Sequence, residues 1–159
     1  MSRTVNVLIV GIGGQGVLKA SQILSEALVR RGYDVKQSEV HGMAQRGGSV
    51  VSEVRFGKEV FSPVAGQTEA DFVVVLEDNE GKRAAPRLRP GTGRMVGIPP
   101  EVVDSLPDPR GRNVAALGRL SAFLDIEESV WSETIASVMP AASVEANLRA
   151  FRAGRALEG

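Results

Sequence analysis

Apolar residues in this chain alternate between short β-prone runs and stripes at helical spacing. Val5 to Val10 is an apolar run that enters a glycine cluster, the pattern of a parallel strand buried on both faces. From Val17 to Arg31 the positions Val17, Ala20, Ile23, Leu24, Ala27 and Leu28 repeat at helical spacing, and Gly32 stands where a helix stop is common. The opening therefore reads as strand, glycine turn, helix. Tyr33 to Ser38 follows as a second strand, and the right-handed crossover rule predicts that it runs parallel to the first. Glu39 to Gly48 has too little apolar periodicity for a buried element and reads as a loop.

Val50, Val51, Val54 and Phe56 predict a further strand. Gly57-Lys58 marks a turn, Glu59 to Phe61 could pair back as a short hairpin arm, and Pro63 stops it. Ala70 to Leu76 is a second strongly apolar strand, expected centrally in the sheet. Between Glu80 and Arg112 the composition shifts to Pro, Gly and Arg, broken by a possible short strand from Met95 to Ile98. Three helices are predicted over Asn113 to Phe123, Glu127 to Met139 and Ser143 to Phe151. This alternation predicts a single α/β domain over residues 1–159. Its sheet is expected to be doubly wound and mostly parallel, with helices on both faces, a Rossmann-like first βαβ unit and a small hairpin.

Composition narrows the function. Nineteen basic and nineteen acidic residues cancel, which argues against a broad basic footprint for nucleic acid or an anionic membrane. With aromatic residues at 4% there is little from which to build a stacking platform for single strands. The absence of cysteine excludes disulfides and cysteine-ligated clusters or zinc from this polypeptide. The early apolar run is too short for a signal peptide or a membrane span, so the cytoplasm is the expected compartment.

Gly11, Gly13 and Gly16 satisfy G-x-G-x-x-G between a predicted strand and a predicted helix. In that setting Gly11 allows a tight turn, Gly13 lets backbone approach a phosphate and Gly16 lets helix pack on strand. The helix N-terminus meanwhile offers free N–H groups. The same glycines could serve only to pack a βα turn. A nicotinamide dinucleotide would also call for an acid after the second strand, and Glu39 is placed for that, which keeps a free-standing NAD-binding Rossmann oxidoreductase open. Gly14-Gln15 makes the turn more polar and glycine-dense than the dinucleotide pattern asks. The motif alone does not decide.

A second block sharpens the reading. Gly11-Ile12-Gly13-Gly14-Gln15-Gly16, then Ser38-Glu39-Val40-His41-Gly42-Met43-Ala44-Gln45-Arg46-Gly47-Gly48-Ser49, then Val54-Arg55-Phe56-Gly57 together resemble the γ-type, small subunits of 2-oxoacid:ferredoxin oxidoreductases, those acting on indolepyruvate most of all. The strand at Phe72 to Leu76, the segment Asn113 to Gly118, and Asn147, Leu148 and Phe151 extend the likeness. Between Asn79 and Arg112 the chain looks shorter and richer in Pro and Arg than the family pattern. The resemblance implies a complex that oxidatively decarboxylates a 2-oxoacid on thiamine diphosphate, passes electrons through iron–sulfur clusters to ferredoxin or another acceptor, and delivers the acyl group to coenzyme A. Partner subunits would carry both cofactors, since this chain lacks cysteine and a thiamine diphosphate signature. The γ-type domain would cap the active centre and help hold coenzyme A on its glycine loop, here Gly11, Gly13, Gly14, Gln15 and Gly16, with Arg46 and Gly47 from the second block.

Individual residues carry two readings each. His41 is either a proton carrier near substrate or a loop or interface histidine, and no metal set accompanies it. Glu39 is either a ribose or substrate contact or a loop charge pairing with Arg46 or Arg55. Gln15 either meets a ligand or caps the helix start. Met43 reads as an adaptable packing residue and Trp131 as core or subunit interface. A non-catalytic scaffold that kept the fold and lost its ligand is the third functional class.

Overall fold

The computed structural model describes residues 3–42, 48–63 and 65–157. Five strands, β1 (Val5–Ile12), β2 (Asp34–His41), β3 (Ser49–Gly57), β4 (Phe72–Val75) and β5 (Arg94–Val96), form one sheet in the order β2-β3-β1-β4-β5. Six α-helices accompany them: α1 (Val17–Arg31), α2 (Asp78–Ala84), α3 (Pro100–Ser105), α4 (Arg112–Ser121), α5 (Glu128–Val138) and α6 (Val144–Arg155).

Strand β1 is the middle of the sheet, buried from Val5 through Gly11. It pairs antiparallel with β3 and parallel with β4, while β4 pairs parallel with β5. β2 pairs only with β3, antiparallel, and forms the exposed edge. Four strands thus share one direction and β3 alone opposes them. β1 and β2 do run the same way, as the crossover rule requires, but β3 separates them. β4 lies beside the central strand rather than at the centre. Nor does Glu59 to Phe61 pair back: residues 58–61 carry no strand, and the backbone N–H of Val60 donates to Asp34 Oδ2 at 2.8 Å. That bond, with help from Lys36, holds the Asp34 carboxyl below its ordinary range. The hairpin of this fold is instead the longer β2–β3 pair.

The larger core lies on the face covered by α1, α4, α5 and α6. Val7, Ile9, Val54, Phe56 and Val74 of the sheet meet Ile23, Leu24, Leu28, Leu117, Trp131 and Phe151 there. Trp131 is fully buried, its ring 5.4 Å from that of Phe151, so it is core. The smaller opposite core joins Leu8, Val10, Val73 and Val75 to Ala84 of α2. Beside it, buried carboxylates tie down the chain: Asp71 accepts from the Asn6 N–H and from Arg3 and Arg89, and Glu53 from the Ala65 N–H and Arg87.

Helix α1 ends where expected, with Gly32 at φ 105° donating its N–H to Leu28 and Val29 carbonyls. The stretch read as Pro- and Arg-rich holds α2 and α3. α2 is started by the Glu77 side chain, which accepts from the Glu80 N–H at 2.8 Å, and α3 begins on Pro100, a residue suited to a first helical position.

Candidate functional site

The chain leaves β1 toward β2 and β3 on one side and later returns to build β4 and β5 on the other. β1 and β4 are therefore the point where the winding reverses, with α1 on one face and α2 on the other. In open α/β sheets the crevice beyond the carboxyl ends of such strands is the usual ligand site. Here it is occupied by the glycine turn.

The turn divides its glycines differently from the three-glycine fingerprint. Gly11 belongs to β1, and a Cβ there would stand 2.8 Å from Gln15 Oε1, 2.9 Å from Val17 and 3.2 Å from Leu76, so its role is close packing. Gly13 donates its N–H to the Gly48 carbonyl at 3.0 Å, which pins the turn to the second motif block. Gly14 and Gly16 take up the left-handed backbone, at φ 89° and 81°. Gln15 neither caps α1 nor points to solvent: its Oε1 accepts the Ile12 N–H at 2.9 Å while its own N–H reaches the Ile12 carbonyl at 3.2 Å. Among the described residues no acceptor takes the Gly14 or Gly16 N–H. α1 begins on Gly16 with no side-chain cap and no acid in its first turn. An uncapped helix start with unclaimed amides favours an anion.

Two clefts flank this ridge. One, of about 510 Å³, is lined by Gly14, Gln15, Gly16, Leu76, Val103, Pro109, Arg110 and Arg112. The other, of about 410 Å³, is lined by Ile12, Gly13, Gly14, Gly16, Val17, Leu18, Lys19, His41 and Val50. The fold thus gathers Gly13, Gly14 and Gly16 with His41 on one side, and Gly14, Gln15 and Gly16 with two arginines on the other. Arg46, Gly47 and Met43 lie outside the described residues.

His41 and Glu39 are strand residues of β2 rather than loop residues, with His41 Nε2 3.8 Å from Glu39 Oε2 and the Gln37 amide donating to Glu39 at 3.1 Å. Because β3 intervenes, Glu39 stands two strand spacings from β1, about 10 Å, too far out to serve as the ribose acid of a dinucleotide fold in which β2 adjoins β1. Among the described residues no three potential metal ligands cluster.

Arg110 and Arg112 were not singled out by sequence. Arg110 is clasped by Asp108 through contacts of 2.8–3.2 Å. The Arg110 side chain and backbone N–H hold the Asp108 carboxyl below its ordinary value of 3.8, and the carboxylate in turn raises Arg110. The pair therefore persists through neutral pH and loosens only as pH falls below that range. Asn113, next to Arg112, donates its side-chain amide to the Gly16 carbonyl at 3.1 Å and so locks the start of α4 to the start of α1.

An α/β domain with an anion-ready turn at its winding reversal is the class that fold and site define. The family model for pyruvate ferredoxin/flavodoxin oxidoreductase matches residues 6–157. The chain is 30% identical over 187 residues to the indolepyruvate oxidoreductase subunit IorB of Methanothermobacter thermautotrophicus, covering 94% of this chain and 95% of that one. Its fold superposes with TM-score 0.76 on the γ subunit of a keto/oxoacid ferredoxin oxidoreductase from Geobacter sulfurreducens, at 22% identity over 94% of this chain and 95% of that one. It also matches, with TM-score 0.81 and 19% identity, 31% of the 2-oxoglutarate:ferredoxin oxidoreductase chain from Magnetococcus marinus, solved with 2-oxoglutarate, coenzyme A and succinyl-CoA bound, and there covers 98% of the present chain. The chain belongs to the pyruvate ferredoxin/flavodoxin oxidoreductase family, and over nearly its whole length it is similar to a subunit of indolepyruvate oxidoreductase.

Proposed function

We propose that this subunit caps the active centre of a cytoplasmic complex and holds the diphosphate of coenzyme A on its glycine turn, while partner subunits carry thiamine diphosphate and the iron–sulfur clusters. The observation that carries this reading is the pair of amides, Gly14 and Gly16, that no acceptor among the described residues takes, at an uncapped helix start between two clefts. A chain without cysteine has no thiolates for a cluster, which supports a division of labour. Pyruvate, indolepyruvate and 2-oxoglutarate appear in the names of the family and of similar proteins. Oxoacids of such different size on one subunit fold support placing oxoacid selection in the partners.

Gly14 offers a direct test, because a Cβ built there meets nothing within 4 Å and the residue lines both clefts. Asparagine tolerates the left-handed backbone better than other side chains, so Gly14→Asn fills ligand space with little strain. In the assembled complex, the KM for coenzyme A is expected to rise at least tenfold. An unchanged KM, with full activity and assembly, would instead mark the domain as a scaffold. The purified chain alone is expected to show no oxidoreductase activity with any 2-oxoacid, and turnover by it would overturn the division of labour. Calorimetry that found tight NAD binding and none of coenzyme A would favour the dehydrogenase reading.

A further inference from the structure

Building on the coenzyme A reading, we infer that Arg112, at the first turn of α4, is the guanidinium that grips the ligand's phosphate, and that Asp78 at the start of α2 holds its place until the ligand arrives. Four observations converge on it. Arg112 lines the same cleft as Gly14 and Gly16, ninety-six residues away in sequence from the latter. Its Nε is buried and has no hydrogen-bond partner. A buried donor on a charged group is costly to leave unmade, so this side chain gains by turning its guanidinium toward an acceptor. Its nearest carboxylate, Asp78 Oδ1, lies 3.8 Å from Nη2, beyond hydrogen-bond reach, on a side chain that is 87% exposed. The other arginine of the cleft, Arg110, is already committed to Asp108 by three side-chain hydrogen bonds and is 91% exposed.

The cleft's chemistry suits one class of ligand. Among the described residues none of its lining is acidic, its apolar lining is Leu76, Val103 and Pro109, and beside these stand peptide N–H groups and a planar, permanently charged fork. A phosphate ester or diphosphate with an apolar-tolerant arm fits that combination, whereas a thiol acceptor lacking phosphate gains nothing from Arg112. Arg112 is then a specificity-determining residue, distinguishing phosphorylated from unphosphorylated acyl acceptors.

The test is made on the assembled complex, with coenzyme A and pantetheine, which lacks phosphate, as alternative acceptors. Arg112→Gln is expected to raise the KM for coenzyme A by about 10- to 100-fold, the size of a lost charge-assisted hydrogen bond to phosphate, and to leave the KM for pantetheine within twofold. Arg112→Lys keeps charge without the fork and falls between. Asp78→Asn removes the competing carboxylate and is expected to lower the KM for coenzyme A by about two- to threefold. Damage to the fold could not produce that gain. If the wild-type complex prefers coenzyme A to pantetheine and Arg112→Gln keeps that preference, the assignment of Arg112 is overturned while the glycine-turn reading survives. If the wild type shows no such preference and Gly14→Asn is silent as well, the underlying reading fails. Should Arg112→Gln not assemble, Asp78→Asn decides, and an unchanged or higher KM there overturns the proposal.

Discussion

Gly118→Ala is expected to cost about 3 kcal/mol of folding stability, at the upper end for overpacking, although it adds one methyl group. α4 and α6 cross with almost no side chain between them. A Cβ on Gly118 would fall onto the Phe151 carbonyl oxygen, with the Phe151 carbonyl carbon at 2.9 Å and the Arg155 nitrogen at 3.0 Å. On the other side, Gly154 lies against the Ala115 carbonyl in the same way. Both obstacles are helix backbone, which cannot rotate aside as a side chain can, so the helices must separate and open the core around Trp131, Leu117 and Phe151. For a domain of this size the loss corresponds to a drop of roughly 10 °C in thermal midpoint. Gly97→Ala is the control, since its nearest neighbour would be Val75 Cβ at 3.9 Å, and it should change stability by less than about 0.5 kcal/mol. Equal effects at the two positions would show that backbone entropy, rather than helix contact, sets the cost. α4 also begins with Arg112 and Asn113, so Gly118→Ala should weaken coenzyme A binding from a distance.

Local periodicity made the long elements legible. The stripe from Val17 to Leu28 and the stop at Gly32 define α1, and the three C-terminal helices lie where apolar spacing puts them, within a few residues at each end. Strand neighbours are a different kind of information. Val50 to Phe56 reads as a strand from its own residues, but nothing local says that it enters between β1 and β2 and reverses direction. That insertion is set by which apolar faces complete the core, and it turned Glu39 and His41 from loop residues into edge-strand residues. α2 and α3 escaped because they are seven and six residues long, too short for a stripe, and because a glycine and a proline sit in them. Gly81 of α2 is there for contact, since a Cβ would approach Val75 to 2.7 Å.

The site was half legible for a related reason. A strand–glycine–helix pattern is contiguous in sequence, so the turn itself could be found, but which amide remains free depends on partners brought in by the fold. Gly13, the expected phosphate contact, spends its N–H on Gly48, whereas no acceptor among the described residues takes the Gly14 N–H. Arg112 sits at the end of the stretch with the weakest pattern. Only the docking of α4 onto α1 carries it to the turn, and the local hint was its position just ahead of Asn113 and an apolar helical run.

At the turn that docking includes one side-chain hydrogen bond, from Asn113 to the Gly16 carbonyl, and Gly16→Ala should expose it. At φ 81° any L side chain is strained by about 1–2 kcal/mol, and the new Cβ would also overlap the Asn113 amide. Asn113 can swing away, but it then gives up its hydrogen bond to the Gly16 carbonyl, worth about 1 kcal/mol. The expected total is about 2–3 kcal/mol. Asn113→Ala alone loses the same bond together with the one its Oδ1 accepts from the Val114 N–H, and costs about 2 kcal/mol. In the double variant the bond to Gly16 is lost only once and no overlap remains, so the two losses should fall short of additive by about 1 kcal/mol in a denaturation cycle. Strict additivity would mean that Asn113 does not brace the turn. The same cycle read in the KM for coenzyme A separates brace from ligand contact. If the turn holds the diphosphate through the Gly16 amide, Gly16→Ala stays impaired in the double variant, because the backbone strain at the amide itself is not relieved by removing Asn113.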